Sequence, residues 1–311
     1  MIANMLNALG ALDRPLLVAL DFDGTIAPIV ARPVDAAMRP GIRACLDALC
    51  LCENVSVAVI SGRAMSTLRA LVGMKSVHLA ADHGLEIAMV PPADSAAFCH
   101  PAVAQLKARY AALERQLVDR FANVAGVHIE NKGASLTVHY RGVQDEAEAA
   151  AAAAEAAHII RSAGFMARAA ASALEAIATE VAWDKGAACN HILERLFGVS
   201  WRGRVAVLYV GDDATDEDAF RALDGISGAV TCKVNGGSRN TDSRAAYFLP
   251  GTEDVQTLLN AILHQREQSK HQRDGVENEK RRAQCDAADE WVEAANDESV
   301  CISRASSANE R

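Results

Sequence analysis

One ten-residue stretch near the amino terminus constrains the fold and chemistry of this chain. Residues 16–25 are Leu-Leu-Val-Ala-Leu-Asp-Phe-Asp-Gly-Thr, and the apolar run 16–20 has the length of a buried strand. Gly24 then turns the chain. Because residues two apart on a strand point to the same side, Asp21 and Asp23 can face one space. Two carboxylates at roughly 4 Å repel by about 4 kcal/mol, which predicts a metal ion or a lysine beside them. An acidic turn is the alternative.

The composition limits the classes of protein to which the chain can belong. Its 311 residues allow two domains, or one domain with a large insertion, and half of them are apolar. A formal net charge of −9 argues against nucleic acid or an anionic membrane as a partner. The eight cysteines are scattered, and we recognise neither a leader sequence nor a membrane-spanning stretch. We therefore expect a cytoplasmic protein, and a monomer.

Apolar strand patterns alternate with helical patterns in two separate parts of the chain. In residues 1–92 and again in 180–265 this alternation predicts an α/β fold, with a doubly wound, mostly parallel sheet between helices. Residues 93–179 instead combine two long helices with strands of alternating polarity, which predicts an inserted α+β cap. The polar tail 266–311 is expected to be disordered or loosely helical.

A second group of acids follows another buried strand. Five acids fall within residues 212–218, directly after the apolar run 205–210. Glu217 and Asp218 suit a helix start, as part of a capping box that begins at Thr215. The acids at the strand tip need another explanation, and a hard divalent cation such as Mg²⁺ supplies it. The expected metal site combines oxygens of both acidic groups: Asp21, the Asp23 carbonyl and Asp212, with Asp213 and Asp216 beside them.

Two further features suit a bound phosphate. Ser61 and Gly62 lie between a predicted strand and a predicted helix, where free N–H groups attract anions; a helix N-cap at Ser61 is the alternative. Lys185 opens a predicted helix, where a cation is disfavoured by about 0.3–1 kcal/mol. Such a conflict indicates a functional residue, although a solvated lysine is the alternative. Together these groups suit phosphoryl transfer to a carboxylate.

In order and spacing, these residues resemble the four motifs of the haloacid dehalogenase superfamily. The matching motifs are Asp21-Phe-Asp-Gly-Thr, Ser61, Lys185 and Gly211-Asp-Asp. The resemblance implies a Rossmann-like core with an inserted cap. It also implies that Asp21 is the nucleophile and Asp23 the general acid and base. Ser61 and Lys185 would hold the phosphate, and Asp212 would bind Mg²⁺.

Longer stretches resemble the trehalose-6-phosphate phosphatase family, over about residues 16–262. They are Asp21 to Ile29, Ser61-Gly-Arg63, His83-Gly-Leu-Glu86, Glu130-Asn-Lys132, His139-Tyr-Arg141, Trp183-Asp-Lys185-Gly and Gly211 to Phe220. This resemblance implies hydrolysis of trehalose 6-phosphate through an aspartyl-phosphate, in trehalose biosynthesis, with functional coupling to a trehalose-phosphate synthase. The implied phosphate and substrate contacts are Asp23, Gly24, Ser61, Gly62, Arg63 and His83 in the core, and Glu130, Lys132 and Glu175 in the cap.

One departure leaves two assignments open in the cap. The family carries Arg-Pro shortly after the glutamate that Glu175 matches, whereas Ala-Ile-Ala occupies residues 176–178 here. Glu180 therefore competes with Glu175 as the sugar ligand. Two other functions also remain open. One is a phosphatase for another sugar phosphate, such as sucrose 6-phosphate or a hexose phosphate, and the other is a non-catalytic phosphosugar sensor.

Overall fold

Twelve short segments form the strands of two sheets in the part of the chain that the structure describes. The computed structural model describes residues 1–10, 14–30, 32–90, 97–133, 135–170, 172–234 and 242–271. In chain order, the strands are β1 (Leu16–Leu20), β2 (Val55–Ile60), β3 (His78–Ala81), β4 (Glu86–Ala88), β5 (Phe98–Cys99), β6 (His128–Asn131), β7 (Leu136–His139), β8 (Met166–Ala170), β9 (Ala173–Ile177), β10 (Ala206–Gly211), β11 (Ala229–Val234) and β12 (Tyr247–Leu249).

The larger sheet contains eight strands in the order β12-β11-β10-β1-β2-β3-β4-β5. Its first six strands are parallel, and β4 and β5 are antiparallel to their neighbours. The α-helices of the first compact unit, among the residues that the structure describes, are α1 (Ile2–Leu9), α2 (Pro40–Leu49), α3 (Met65–Val72), α4 (Val103–Phe121), α5 (Glu146–Ser162), α6 (Lys185–Phe197), α7 (Asp216–Leu223) and α8 (252–263).

Helices cover both faces of the larger sheet because successive strand residues point to opposite sides. Leu16 and Val18 of β1 join an apolar cluster with α1, α2, α3 and residues 255–262 of α8. Leu17 and Ala19 join a second cluster on the opposite face, with α6 and α7. The whole of β1 is therefore apolar and buried. The predicted doubly wound α/β fold is confirmed.

The smaller sheet is antiparallel throughout, in the order β6-β7-β9-β8. One of its faces packs against α4 and α5 through an apolar cluster that includes Leu136, Val138 and Leu174. All four strands fall within the predicted insertion 93–179. The same segment also contributes β5, which pairs with β4 in the larger sheet. The division into a core and a cap stays a prediction, and Met1–Leu263 form one compact unit.

Most of the predicted tail lies outside the described residues. The second unit of the chain begins at His264, and its described residues, 264–271, are helical. None of the helices in the described ranges is both long and apolar enough to cross a membrane.

The strand order places three sequence motifs side by side, at the carboxyl ends of neighbouring strands of the larger sheet. Strand β1 lies between β2 and β10, so the chain reverses its direction of winding at β1. Open α/β sheets bind ligands beyond the carboxyl ends of the strands at such a switch point. Asp21, Ser61 and Asp212 each follow directly after one of these three strands. The fold therefore determines where the site lies.

A buried histidine makes the fold sensitive to acid. His78 on β3 is 6% exposed, and its Nδ1 accepts a hydrogen bond from the Val90 N–H at 3.0 Å. Burial lowers the His78 pKa from 6.5 to about 4. The neutral side chain therefore stabilises the fold fully above pH 6.5, and this stability is lost as the pH falls towards 4. In urea unfolding we expect His78 to contribute a loss of about 3 kcal/mol to the free energy of unfolding across that window.

The His78→Asn variant is the matched control for this measurement. Asparagine can accept the Val90 N–H bond but gains no proton in this pH range. The variant should lose clearly less stability between pH 6.5 and 4 than the wild-type chain. Equal losses would show that protonation of His78 does not cause the acid sensitivity.

Candidate active site

A buried lysine joins two carboxylates at the carboxyl end of β1. Lys185 Nζ lies 2.8 Å from Asp21 Oδ1 and 2.8 Å from Asp216 Oδ1, and the residue is 1% exposed. The alternative of a solvated lysine is therefore wrong. Burial alone would lower the Lys185 pKa, but the two carboxylates outweigh it and raise the pKa. The ammonium group stays charged.

Several carboxylates surround Lys185, and its single positive charge cannot balance all of them. Burial raises the pKa of Asp21 well above its usual range, and Asp216 and Asp212 raise it further, against the opposing effect of Lys185. Burial also raises the pKa of Asp212 to about 8, with help from Asp213 and Asp216. Both shifts have the same origin, because too many acids share one cation. A further cation would relieve them.

The donor set of this cluster fits a hard divalent cation. Carboxylate oxygens of Asp21, Asp212 and Asp216 all lie within 4.8 Å of one another. No described residue donates a hydrogen bond to the Asp212 carboxylate, and Lys185 uses only Oδ1 of Asp21. Unpaired carboxylate oxygens at this spacing are what Mg²⁺ and Ca²⁺ bind in proteins.

Both carboxylate oxygens of Asp216 accept hydrogen bonds from the protein, unlike those of Asp212. Besides Lys185, Asp216 Oδ1 accepts a hydrogen bond from the Tyr209 hydroxyl at 2.9 Å. Its Oδ2 accepts from the N–H groups of Asp212 and Asp213, at 3.0 and 3.1 Å. Asp216 therefore fixes the loop that carries the free carboxylate of Asp212. This arrangement agrees with a supporting position for Asp216 beside the metal.

The start of α7 differs from the sequence prediction. Asp213 Oδ1 accepts hydrogen bonds from the N–H groups of Thr215 and Asp216, at 2.7 and 3.2 Å, so Asp213 performs the capping. The capping box predicted from Thr215 to Asp218 is wrong, because the Thr215 side chain makes no capping bond. Glu217 pairs instead with Lys233 at 2.5 Å.

Asp23 is held by an arginine from the loop after β2. Arg63 Nε and Nη2 donate to the two carboxylate oxygens of Asp23, at 2.6 and 2.7 Å. Arg63 also donates to the Pro33 carbonyl at 2.9 Å. Arg63 was predicted as a substrate contact, and here it binds a residue predicted as general acid. Delivery of a proton by Asp23 requires this ion pair to open.

Two glycines allow side chains of the site to lie close against the backbone. Gly24 has φ +80°, and a Cβ there would lie 2.0 Å from Asp212 Oδ2. A Cβ on Gly62 would lie 2.6 Å from Cε1 of His83. Any other residue at either position would displace a side chain of the site.

Ser61 is not a helix cap. Helix α3 begins at Met65 with Ala64 as its N-cap, so the alternative of Ser61 as a helix N-cap is wrong. Ser61 is buried, and its Oγ accepts a hydrogen bond from the Arg63 N–H at 3.2 Å. The hydroxyl can still donate its proton to a phosphate oxygen.

His83 lies in a strained turn. Asp82 and His83 have φ values of +48° and +56°, in the left-handed region that residues other than glycine rarely occupy. Burial lowers the His83 pKa to about 4, so the ring is neutral near pH 7. Its Nδ1 is buried and has no hydrogen-bond partner among the described residues. Strain of this kind is typical of functional sites.

Side chains from both sheets line a cavity of about 340 Å³. His83 and Lys185 belong to its wall on the side of the larger sheet, and Thr137, Arg168 and Glu175 belong to it on the side of the smaller sheet. A volume of this size is typical of small-molecule sites. The cavity therefore extends from Lys185 of the ion cluster to the polar face of the smaller sheet.

Four polar residues form one row across the smaller sheet. Glu130 pairs directly with Thr137, Thr137 with Glu175, and Glu175 with Arg168. Directly paired residues on neighbouring strands share a face of the sheet. We call this set the polar row: Glu130, Thr137, Glu175 and Arg168.

The polar row distinguishes the two candidate sugar ligands. Glu175 lines the cavity and accepts hydrogen bonds from Arg168, the nearer at 2.7 Å. Glu180 instead forms an ion pair with Arg109 and does not line this cavity. Sequence reasoning missed Arg168, because only the strand register places it opposite Glu175.

Glu130 and Lys132 lie beside one another but do not line this cavity. Glu130 Oε2 is 2.9 Å from His139 Nε2 and 4.0 Å from Lys132 Nζ. The hydrogen bond from His139, together with the charges of Lys132 and Arg63, lowers the Glu130 pKa to about 2. The structure thus groups Glu130 with the polar row by its strand register, at a distance from the cavity wall.

The fold and this cluster together define a class of protein. A doubly wound sheet carries an aspartate after its central strand, a buried lysine that binds this aspartate, and further aspartates after the neighbouring strand. This is the arrangement of a phosphatase of the haloacid dehalogenase superfamily.

Comparison with known proteins narrows the class to one family. The sequence profile described as trehalose-phosphatase matches residues 19–253. Trehalose 6-phosphate phosphatase RA3 of Zea mays is 27% identical over 262 residues, which cover 81% of this chain and 71% of that protein. The chain therefore belongs to the trehalose-phosphatase family.

Two further similarities agree with this assignment. Trehalose-phosphate phosphatase of Mycobacterium avium is 34% identical over 221 residues, which cover 70% of this chain and 53% of that protein. The structure of the C-terminal domain of C. albicans trehalose-6-phosphate phosphatase superposes with a TM-score of 0.70 at 22% identity, and covers 85% of this chain and 97% of that one. This likeness supports the fold.

Removal of the buried ammonium group should destabilise the metal-free protein. Lys185→Met leaves Asp21 and Asp216 buried without their shared cation, and we expect the free energy of unfolding to fall by about 3–5 kcal/mol. Urea unfolding in chelator measures the loss. Lys233→Met is the control, because buried Lys233 forms a direct ion pair with a single carboxylate among the described residues, that of Glu217. Equal losses in the two variants would contradict the shared-cation interpretation.

Proposed function

We propose that this chain hydrolyses trehalose 6-phosphate to trehalose and phosphate, as a step of trehalose biosynthesis. The observation that carries the proposal is the cavity, which has Lys185 of the ion cluster at one wall and Thr137, Glu175 and Arg168 of the polar row at the other. The cluster suits a phosphate, and the polar row suits the hydroxyl groups of a sugar. Membership of the trehalose-phosphatase family supports the choice of sugar.

The first chemical step transfers the phosphoryl group to Asp21. Its Oδ2, which Lys185 leaves free, attacks phosphorus, and the bond from phosphorus to the sugar oxygen breaks. Ser61 and Gly62 donate hydrogen bonds to the phosphoryl oxygens, and Lys185 stabilises their charge. Asp23, once separated from Arg63, gives its proton to the leaving sugar oxygen.

The second step hydrolyses the aspartyl-phosphate. Asp23 is now a carboxylate and takes a proton from the attacking water, so the same residue is acid and then base. The bond from phosphorus to the Asp21 oxygen breaks, and phosphate leaves. His83 is neutral near pH 7 and lies in the cavity wall, so it contacts the substrate without adding a charge.

A divalent cation, Mg²⁺ by our proposal, completes the charge balance of the site. Asp21 and Asp212 would hold it with carboxylate oxygens, and the Asp23 carbonyl would be a third protein ligand. Asp213 and Asp216 would keep the loop in place. When bound, the cation supplies positive charge that stabilises the phosphoryl oxygens.

The substrate is tested by phosphate release from a panel of esters. With Mg²⁺ present, kcat/KM for trehalose 6-phosphate should exceed that for sucrose 6-phosphate and glucose 6-phosphate by roughly 100-fold or more. Asp21→Asn should abolish release from all of them. A preference for the ester of another sugar would support the proposed chemistry and overturn the proposed substrate. No release from any ester, with an aryl phosphate included, would favour the non-catalytic sensor.

The metal is tested by thermal unfolding in Mg²⁺ and in chelator. A ligand at 100 times its Kd stabilises the folded state by about 2.7 kcal/mol, so saturating Mg²⁺ should raise the wild-type Tm. Asp212→Asn should abolish this shift, whereas Asp47→Asn at an exposed position of α2 should keep it. An undiminished shift in the Asp212 variant would exclude Asp212 as a ligand.

The proposal extends to the cellular setting. The reaction needs a supply of trehalose 6-phosphate, so we include functional coupling to a trehalose-phosphate synthase. A monomer in the cytoplasm is part of the same proposal and is based on the composition. The acidic balance also fits a small-molecule substrate better than nucleic acid.

A further inference from the structure

The polar row ends in a residue that belongs to none of the sequence motifs. Arg168 lies on β8, directly opposite Glu175 of β9. Both side chains line the cavity, and they are 28% and 21% exposed. Their neighbours along the strands, Ala167 and Leu174, belong to the apolar face that packs on α4 and α5. Arg168 is therefore oriented towards the cavity by the alternation of its strand.

The hydrogen bonds between Arg168 and Glu175 leave one donor and one acceptor of this ion pair free. Nε and Nη2 of Arg168 both donate to the same oxygen, Glu175 Oε2, at 3.1 and 2.7 Å. Among the described residues, Nη1 of Arg168 has no acceptor and Glu175 Oε1 has no donor. The pair thus offers a donor and an acceptor next to each other. A sugar hydroxyl both donates and accepts, so neighbouring hydroxyls match such a pair.

The position of Arg168 indicates which part of the substrate it contacts. Lys185 already supplies a cation beside Asp21, where the phosphate reacts. Arg168 comes from the other sheet and makes no hydrogen bond to the ion cluster. Its charge is compensated by Glu175, so the pair as a whole suits a neutral ligand better than an anion.

We propose that Arg168 is a specificity-determining residue that binds the sugar portion of the substrate. Its Nη1 donates to a sugar hydroxyl, while Nε and Nη2 hold Glu175 so that Oε1 accepts from a neighbouring hydroxyl. This inference rests on the proposed function, because it assumes a sugar phosphate in the cavity. It adds to the predicted sugar ligands a residue from a different strand.

The test compares a sugar ester with an ester that has no sugar. Arg168→Gln should raise KM for trehalose 6-phosphate roughly tenfold and change kcat less than about threefold, because the lost contact binds substrate and transition state alike. For p-nitrophenyl phosphate, kcat/KM should stay within about twofold. Arg168→Lys keeps the charge without the planar fork and should regain only part of the affinity.

Arg120→Gln is the matched control. Arg120 also pairs with a glutamate, Glu155, but on the exposed surface of α4 and α5 and away from the cavity. Its kinetics on both esters should equal those of the wild-type chain. A rise in KM with Arg120→Gln as large as with Arg168→Gln would overturn the proposal, because any arginine of this part of the chain would then have the same effect.

A double-mutant cycle separates direct contact from support of Glu175. If Arg168 binds a hydroxyl itself, Arg168→Gln should raise KM further in a Glu175→Gln background. If it acts only through Glu175, the second substitution adds nothing, and the proposed contact is overturned. Inhibition of p-nitrophenyl phosphate hydrolysis by trehalose gives a second readout, and Arg168→Gln should weaken it roughly tenfold.

Failure of this inference differs from failure of the proposed function. Wild-type activity on trehalose 6-phosphate with an unchanged KM in Arg168→Gln overturns the role of Arg168 alone. A wild-type preference for another sugar ester overturns the substrate, and the same KM ratio measured with that ester then decides on Arg168. Circular dichroism establishes that each variant is folded, and Arg168→Lys replaces Arg168→Gln if the latter is not.

Discussion

The buried ammonium group of Lys185 is the interaction on which the site depends. It begins α6, binds Asp21 at the end of β1, and binds Asp216 at the start of α7. Asp216 in turn holds the loop after β10 through the N–H groups of Asp212 and Asp213. One positive charge thereby fixes two strand ends and two helix starts. Without it, the carboxylates that the chemistry needs would repel one another in a place that water cannot screen.

The larger sheet and its ion cluster could be predicted from the sequence, because both leave strong local signals in it. Apolar runs such as 16–20 and 205–210 predict buried strands, and acids at their ends need a cation. The prediction of a capping box at Thr215 failed because Asp213 binds the Thr215 N–H that the box would have used, a choice that depends on the loop geometry. Strand β5 has only two residues, too few for a pattern to predict its sheet.

Contacts set by rotamers and by strand register could not be predicted. The ion pair between Asp23 and Arg63 joins residues 40 positions apart, and its two short hydrogen bonds depend on both side-chain conformations. The pairing of Arg168 with Glu175 depends on the register of β8 and β9. A slip by one residue would turn either side chain towards α4 and α5, and the sequence pattern fixes which face is apolar but not which residues pair.

The proposed function assigns the phosphate to the larger sheet and the sugar to the smaller sheet, and this division has a physical reason. A parallel sheet is buried on both faces, so its side chains are apolar and only its strand ends can carry reactive groups. An antiparallel sheet with one face packed on helices can present a complete polar face, as the polar row does. The phosphate is common to every phosphomonoester, so the strand ends around Lys185 cannot distinguish one ester from another. We therefore propose that discrimination between sugars comes from the face that carries Glu175 and Arg168.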